Sequence, residues 1–357
     1  MIVPFLLNSL QYQKSEDSMI KKIIFIFFLI VLIVDAKDYT QNPQTKSVIN
    51  TLVKQYGFKR SYLTKLFSHV KVQKSALRVF RPRKKAKKDT RTVAQKAKTR
   101  KYYNTYGPWE RYSRLKINPS RVKQGIAFIR KHRKTFDKVE KKYGIPKEYI
   151  TAIIGIETVY GGNVGKYPVF DTLSTLAFEK NRRNTFFKKQ LIKFLHLSKT
   201  QKFNPKNVKG SYAGAIGLVQ FMPSNYEAYG VDFNKDGRIT LQGADDAIAS
   251  VANYFKKNGW RRGEPVATRV KYEGTRFRTH KTGYKHTYHR RHLKGITPRE
   301  EWDYNNKVRL IKLNKKSYDE LWYGAKNFFV ITRYNHSSYY AMAVHQLAQK
   351  IKKGLTK

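Results

Sequence analysis

The chain has 357 residues, with 74 Lys and Arg against 24 Asp and Glu, a formal net charge of +50, and no cysteine. The lack of cysteine excludes a disulfide framework, a thiolate metal centre and a lipid-modified cysteine, and the 40% hydrophobic content excludes wholesale disorder. The charge implies polyanionic company, whether nucleic acid, an anionic membrane surface or an acidic wall polymer.

In chain order, Lys21 and Lys22 precede an apolar run, Ile23 to Val34, and Val34-Asp35-Ala36 offers small residues at the −3 and −1 positions of a cleavage site. That is the plan of a secretory signal, and the run is short of the roughly twenty residues a membrane span needs. Met19 stands where such a signal begins, which makes residues 1–18 an N-terminal extension. An uncleaved anchor is the alternative. Export also argues against a nucleic-acid partner. Residues 37–50 form a polar lead-in, and 47–70 carry apolar positions at the spacing of one or two short helices. Lys71 to Lys101 is dense in basic residues, including 81-RPRKKAKK-88, and is expected to be a solvated loop or wall-binding surface.

Residues 121–144 keep a helical period up to Gly144, and Pro146 opens the next helix, where its missing N–H costs nothing. In 149-YITAIIGIETVYGG-162, Ile150, Ile153 and Ile154 form an inward face, and the i+7 position on that face is Glu157. A carboxylate there is either salt-bridged to Arg or Lys or held protonated as an acid. Gly161-Gly162 is expected to end this helix. Asp171 is the expected N-cap of 172-TLSTLAF-178. Helical spacing continues to about Thr200 and recurs over 244–258. Gly263 to Trp302 suggests short strands and loops, and 337–354 a final amphipathic helix.

Three segments invite chemistry. In 210-GSYAGAIGLVQFMPSNY-226, small residues permit close approach of a ligand or of a packed helix, and Gln220 is the one amide in an apolar run. In 332-TRYNHSSYYAM-342, Asn335 and His336 lie among tyrosines, and His336 is expected to be structural. In 232-DFNKDGRITLQGADD-246, Asp232, Asn234 and Asp236 precede Gly237 as in the first half of an EF-hand loop, with Arg238 supplying a carbonyl. Position twelve is Gly243, not Glu, and Asp246 is the residue that closes a longer loop. An Asx-rich turn is the alternative. His286, His289 and His292 are expected to be solvated basic residues.

The segments 155-GIETVYG-161, 181-NRRNTFF-187, 207-NVKGSYAGAIGLVQFMPSNY-226, 251-VANYFKKNGW-260 and 322-WYGAKNFFVITRYNHSSYYAMAV-344 resemble the lytic murein transglycosylases of the B type, in order and spacing. Weaker similarity reaches back through 109-WERYSRLKI-117. The resemblance implies a mainly α fold with some β structure (α+β), a lysozyme-like catalytic core flanked by a helical part and a small β-containing part. The expected divisions are an N-terminal extension and signal (1–36), a helical part with the basic tract (37–144), the core (145–260), a small β part (261–320) and a segment completing the groove (321–357).

It further implies that Glu157 is the catalytic acid. Ser211, Gln220, Tyr334, Asn335 and Tyr340 match groove residues, and Tyr112, Arg182, Arg183 and Tyr254 match further cleft positions. Phe186 stands where relatives carry Tyr, which removes a hydrogen bond but keeps stacking. The loop of Asp232, Asn234, Asp236, Arg238 and Asp246 is expected to hold a structural Ca²⁺, with no cofactor required for the chemistry. The implied reaction cleaves peptidoglycan after N-acetylmuramic acid and leaves 1,6-anhydro ends. Expected partners are peptidoglycan strands and proteins of wall synthesis or remodelling, in the periplasm, with no nucleic acid and with membrane contact only through an uncleaved N-terminal segment. A hydrolytic muramidase and a non-catalytic wall-binding protein are the alternatives.

Overall fold

The computed structural model of the chain describes residues 36–81 and 91–356. The expected secretory segment and residues 82–90 of the basic tract lie outside the described residues. From β1 (Ala36–Lys37) the chain passes through α1 (Pro43–Tyr56), α2 (Arg60–Phe67), β2 (Val70–Lys71) and α3 (Lys74–Phe80). It continues through α4 (Val93–Thr105), α5 (Pro108–Lys116), α6 (Pro119–Lys131), α7 (Arg133–Tyr143), α8 (Lys147–Thr158), β3 (Tyr167–Pro168), α9 (Val169–Phe178) and α10 (Asn184–Thr200). β4 (Lys209–Gly210), α11 (Pro223–Tyr229), α12 (Ala244–Lys257), β5 (Ala267–Tyr272), β6 (Ile296–Pro298), β7 (Arg309–Asn314), β8 (Asp319–Gly324), α13 (Lys326–Tyr334) and α14 (Ser338–Leu355) complete it.

The chain folds into two compact units that differ from the divisions read along the sequence. Among the described residues, one comprises 36–81 together with Asp171–Ile192; the other comprises 91–170 and 193–356. The physical reason is that helix faces recruit partners distant in sequence, which composition does not report.

In the first unit, α1 starts at Asn42, whose side chain accepts the Gln44 N–H, and stops at Gly57, where φ is 64°. Its apolar face and that of α2 bury Leu52, Leu63 and Phe67. Phe178 meets Tyr39 and Phe67, and Phe187 meets Phe80 edge-on at 4.8 Å. Asp171 is not an N-cap. α9 begins two residues earlier, and the Asp171 carboxylate accepts the backbone N–H of Lys71 at 3.2 Å, tying β2 to the helix.

The core of the second unit is built around α8. Ile150, Ile153 and Ile154 are fully buried, and α6, α7, α12 and α14 pack about the helix. Gly144, at φ 71°, ends α7, and Pro146 stands as the N-cap of α8. Three expectations are corrected here. The period over 121–144 is broken at His132, so that two helices replace one. α8 ends at Thr158, ahead of the glycine pair, because Val159 and Tyr160 themselves take left-handed backbone at φ 53° and 56°. This lets Tyr160 fold back over the helix, where its hydroxyl donates to the Arg121 carbonyl at 2.8 Å. A Cβ on Gly125 or Gly155 would lie 2.6 and 2.5 Å from that hydroxyl, which explains a glycine on each helix. Third, part of the expected basic loop is helical. α4 buries nothing and stands on a Thr92–Gln95 capping box and good intrinsic helix formers, with no apolar stripe to announce it.

The small β part is an antiparallel sheet in the order β6-β5-β8-β7. Leu310, Leu321 and Tyr323 line one side with Val270, while Ile311 and Leu313 join the helical core. The sheet ends at Gly324, past the expected division at 320, because β8 must pair along its whole length with β7.

Candidate active site

Glu157 occupies the last turn of α8, half-buried at the end of an otherwise buried helix. Tyr340, in the first turn of α14, donates its hydroxyl to Glu157 Oε1 at 2.5 Å. Burial raises the Glu157 pKa above the usual carboxyl range, opposed first by the Tyr340 hydrogen bond and then by the charge of Lys116. No Lys or Arg among the described residues forms an ion pair with it; the salt-bridged alternative therefore falls. No carboxylate is among the groups acting on it.

Tyrosines build out from this point. The Tyr334 ring stacks on Tyr340, with centroids 6.4 Å apart and planes 10° apart, and its hydroxyl donates to the Val219 carbonyl at 2.5 Å. Tyr254 packs edge-on against Tyr334 at 4.9 Å. Tyr112 lies against Trp109 and Tyr339, and its pKa is raised by burial and by the charge of Glu157. Tyr340 and Tyr334 are pushed well up by burial with the Glu157 charge, so both remain neutral donors.

Up to residue 222, where α11 takes over, the 210–226 segment is not a packed helix. It is a tight loop closed by the bridges Gly210–Ile216 and Ile216–Phe221. The Ser211 hydroxyl accepts the N–H groups of Ala213 and Ala215, so this side chain shapes the turn. Gln220 has left-handed backbone at φ 49°, and its amide donates to the carbonyls of Val164 and Gly217 at 3.0 and 3.1 Å. Thr158, next to Glu157, donates to the Leu218 carbonyl at 2.8 Å. The loop is thus fastened both to the end of α8 and, through Val219, to Tyr334.

Glu157, Tyr340, Tyr334, Tyr254, Tyr112 and the loop bearing Ser211 and Gln220 therefore form one connected set. Asn335 is exposed at the end of α13, immediately after Tyr334. Arg182 and Arg183 belong to the first unit, exposed in the turn between α9 and α10, with the Arg183 guanidinium 4.1 Å over Phe186. His336 is exposed, its ring stacked on Tyr284 at 6.5 Å.

Lys116 is the residue that sequence reasoning missed. Its ammonium donates to the Ile156 carbonyl at 3.4 Å, beside Glu157, and burial lowers its pKa against the favourable Glu157 charge. Only its position in 109-WERYSRLKI-117 hinted at it. Replacing Lys116 with Met removes a cation that favours the ionised carboxylate, so the Glu157 pKa rises further. If Glu157 must be protonated to act, the fall of activity on the alkaline side moves to higher pH, while the acidic plateau is retained. A pH–rate profile of the variant checks this.

The 232–246 loop presents hard oxygen donors. Asp236 and Gly237 donate backbone N–H groups to Asp232, Arg238 donates to Asp236, and Gly237 turns the chain at φ 82°. The oxygens of Asp232, Asn234 and Asp236 fit the ligand chemistry of Ca²⁺. Asp246, 2% exposed, accepts the Phe233 and Thr240 N–H groups at 2.7 Å each and so braces the loop from behind.

A family model described as the transglycosylase SLT domain matches residues 40–349. The chain is 37% identical over 316 residues to membrane-bound lytic murein transglycosylase B of Escherichia coli (strain K12), covering 88% of this chain and 84% of that protein. The structure of the E. coli lytic transglycosylase Slt35 in complex with calcium matches with a TM-score of 0.79 at 35% identity, covering 91% of this chain and 98% of that one. That of SltB3 from Pseudomonas aeruginosa in complex with NAG-anhNAM-pentapeptide matches with a TM-score of 0.69 at 25% identity, covering 87% and 79%.

Proposed function

The chain belongs to the transglycosylase SLT family and is a lytic murein transglycosylase, and from that premise we propose how its residues divide the work. The reaction cleaves the β-1,4 bond between N-acetylmuramic acid and N-acetylglucosamine and leaves a 1,6-anhydro muramyl end, with no cofactor in the chemistry. Glu157, neutral at the outset, protonates the leaving glycosidic oxygen. Because Tyr340 engages Oε1, the acid proton belongs on Oε2. The acetamido oxygen of the muramyl residue stabilises the positive charge that develops at the anomeric carbon. The Glu157 carboxylate then takes the proton of the muramyl 6-hydroxyl, whose oxygen closes onto that carbon. No water is consumed.

The observation that carries this reading is a single half-buried carboxyl whose hydrogen-bond partner is Tyr340 and on which no second carboxylate acts. An enzyme using two flanking carboxylates would need the second nearby. Gln220, Ser211 and Asn335 orient the glycan in this reading, the tyrosines line its path, and Arg182 and Arg183 of the first unit are glycan-binding residues as well. The catalytic core is drawn from the second unit, residues 145–170 and 193–260, completed by the tyrosines of 321–357. Asp232, Asn234 and Asp236 would hold a Ca²⁺ that pins their loop and takes no part in the reaction.

Among the described residues no helix is long and apolar enough to cross a membrane. We place the enzyme in the periplasm, delivered by the segment ending near Ala36, where its positive charge favours residence on the anionic wall and other wall proteins are its partners. Mass analysis of digested sacculi tests the chemistry. Anhydro-muropeptides are expected; reducing muramic acid ends would make the enzyme a hydrolase, and no released fragments would make it a binder.

A further inference from the structure

A cavity of about 720 Å³ opens at the other end of α8 from Glu157, between the first turn of that helix, the 260–269 and 299–302 segments, β8 and α14. Glu148 and Glu157 are nine positions apart, which is about 13 Å along a helix, so this is a separate place. The cavity departs from the rest of the molecule in charge. In a chain with 74 basic and 24 acidic residues, it gathers Glu148, Glu264, Glu300 and Glu301, faced by Arg269, Arg299 and Lys352. Trp260, Trp302 and Trp322 supply aromatic walls.

Part of the lining is buried and polar. Glu148, Tyr149 and His345 are 7%, 5% and 6% exposed. Gln349 donates to the Tyr149 hydroxyl at 3.1 Å, and that hydroxyl shares a hydrogen bond with His345 Nδ1, 2.8 Å away. Burial lowers the His345 pKa to about 4, so the ring is neutral, one nitrogen donating and the other accepting. Among the described residues Nε2 has no hydrogen-bond partner, and the His345 ring lines the cavity. Glu264 Oε2 and Arg269 Nε, by contrast, are buried without a partner. Burying such groups costs free energy unless something satisfies them.

We propose that this cavity is a second, non-catalytic site that binds the peptide stem of peptidoglycan by its charged ends. Sugar hydroxyls are neutral and give no reason to concentrate formal charges of both signs. A stem peptide that is not cross-linked carries a free ammonium and a free carboxylate, the complement of glutamates and arginines between tryptophan walls. The proposal rests on peptidoglycan being the substrate. Binding here would retain the enzyme on uncross-linked wall while Glu157 works on a glycan strand.

The test uses the full chain with Glu157→Gln, so that nothing is digested, and titrates three probes by calorimetry: a free stem pentapeptide, the same peptide with its free amino group acetylated, and glycan strands stripped of peptide. The Glu300→Ala/Glu301→Ala double variant changes only exposed side chains. Expected is at least a tenfold weakening of pentapeptide binding, a similar loss on acetylation of the peptide, and unchanged binding of stripped glycan. Unchanged pentapeptide binding in the double variant overturns the proposal. Loss of stripped-glycan binding makes the cavity a sugar site, and equal binding of an unrelated basic peptide makes it a protein-docking site; either also overturns it. Failure here would leave anhydro products intact in digests by the unmodified enzyme, whereas failure of the catalytic reading would abolish them irrespective of this cavity.

Discussion

Glu157→Gln is expected to lower the release of anhydro-muropeptides from purified sacculi by about 10³-fold or more, since one group serves as acid and then as base and each role contributes about 10²–10⁴. The fold should not suffer. Burial already favours a neutral side chain here, and the Gln carbonyl can still accept the Tyr340 hydroxyl. The unfolding midpoint should therefore stay or rise while activity disappears, a pattern that separates lost chemistry from lost structure. Mass-resolved digestion beside a denaturant titration measures both. Near-normal activity would remove Glu157 from the mechanism.

The second large effect is expected from a residue with no chemistry. Gly217 has φ 76°, and a Cβ there would lie 2.6 Å from the Leu241 carbonyl oxygen and 2.7 Å from the Leu241 Cβ. Gly217→Ala combines a left-handed alanine with overpacking against a neighbouring backbone, about 2–4 kcal/mol together. The loop cannot yield without cost, because Leu218 donates to the same Leu241 carbonyl at 2.9 Å and Gln220 donates to the Gly217 carbonyl. Displacing it also moves Val219, the acceptor for Tyr334, so activity should fall along with stability. Gly237→Ala is the control. That glycine has φ 82° but nothing within 4 Å of the added carbon, so only about 1–2 kcal/mol of strain is expected, measured by urea titration without added metal. Equal losses in the two variants would mean that the contact with Leu241 does not matter.

The start and inward face of the helix that carries the acid were legible in the sequence, because Gly144, Pro146 and three isoleucines at helical spacing leave one reading of where it begins and which side it buries. The carboxyl's state was not. Spacing put Glu157 on an apolar face, but only the folded chain reveals that its partner is a tyrosine hydroxyl from α14. Lys116 escaped because its contact with the Ile156 carbonyl spans forty positions of chain. The end of α8 was misplaced because a β-branched residue, Val159, holds a backbone conformation normally left to glycine, and the fold-back of Tyr160 sustains it. The loop around Gln220 was ambiguous for a related reason. Small residues license close packing of any kind, and two bridges fixed by distant partners decide which kind it is.

The composition of the first unit also has a consequence in time. Leu52, Leu63 and Phe67 are made early, but Phe178 and Phe187, which close over this region, belong to a stretch completed only at Ile192. At ordinary synthesis rates that is roughly 110 residues and roughly 5–20 s later. During that interval the early helices have apolar faces and no permanent cover, so the nascent chain depends on whatever holds it until its own missing piece emerges.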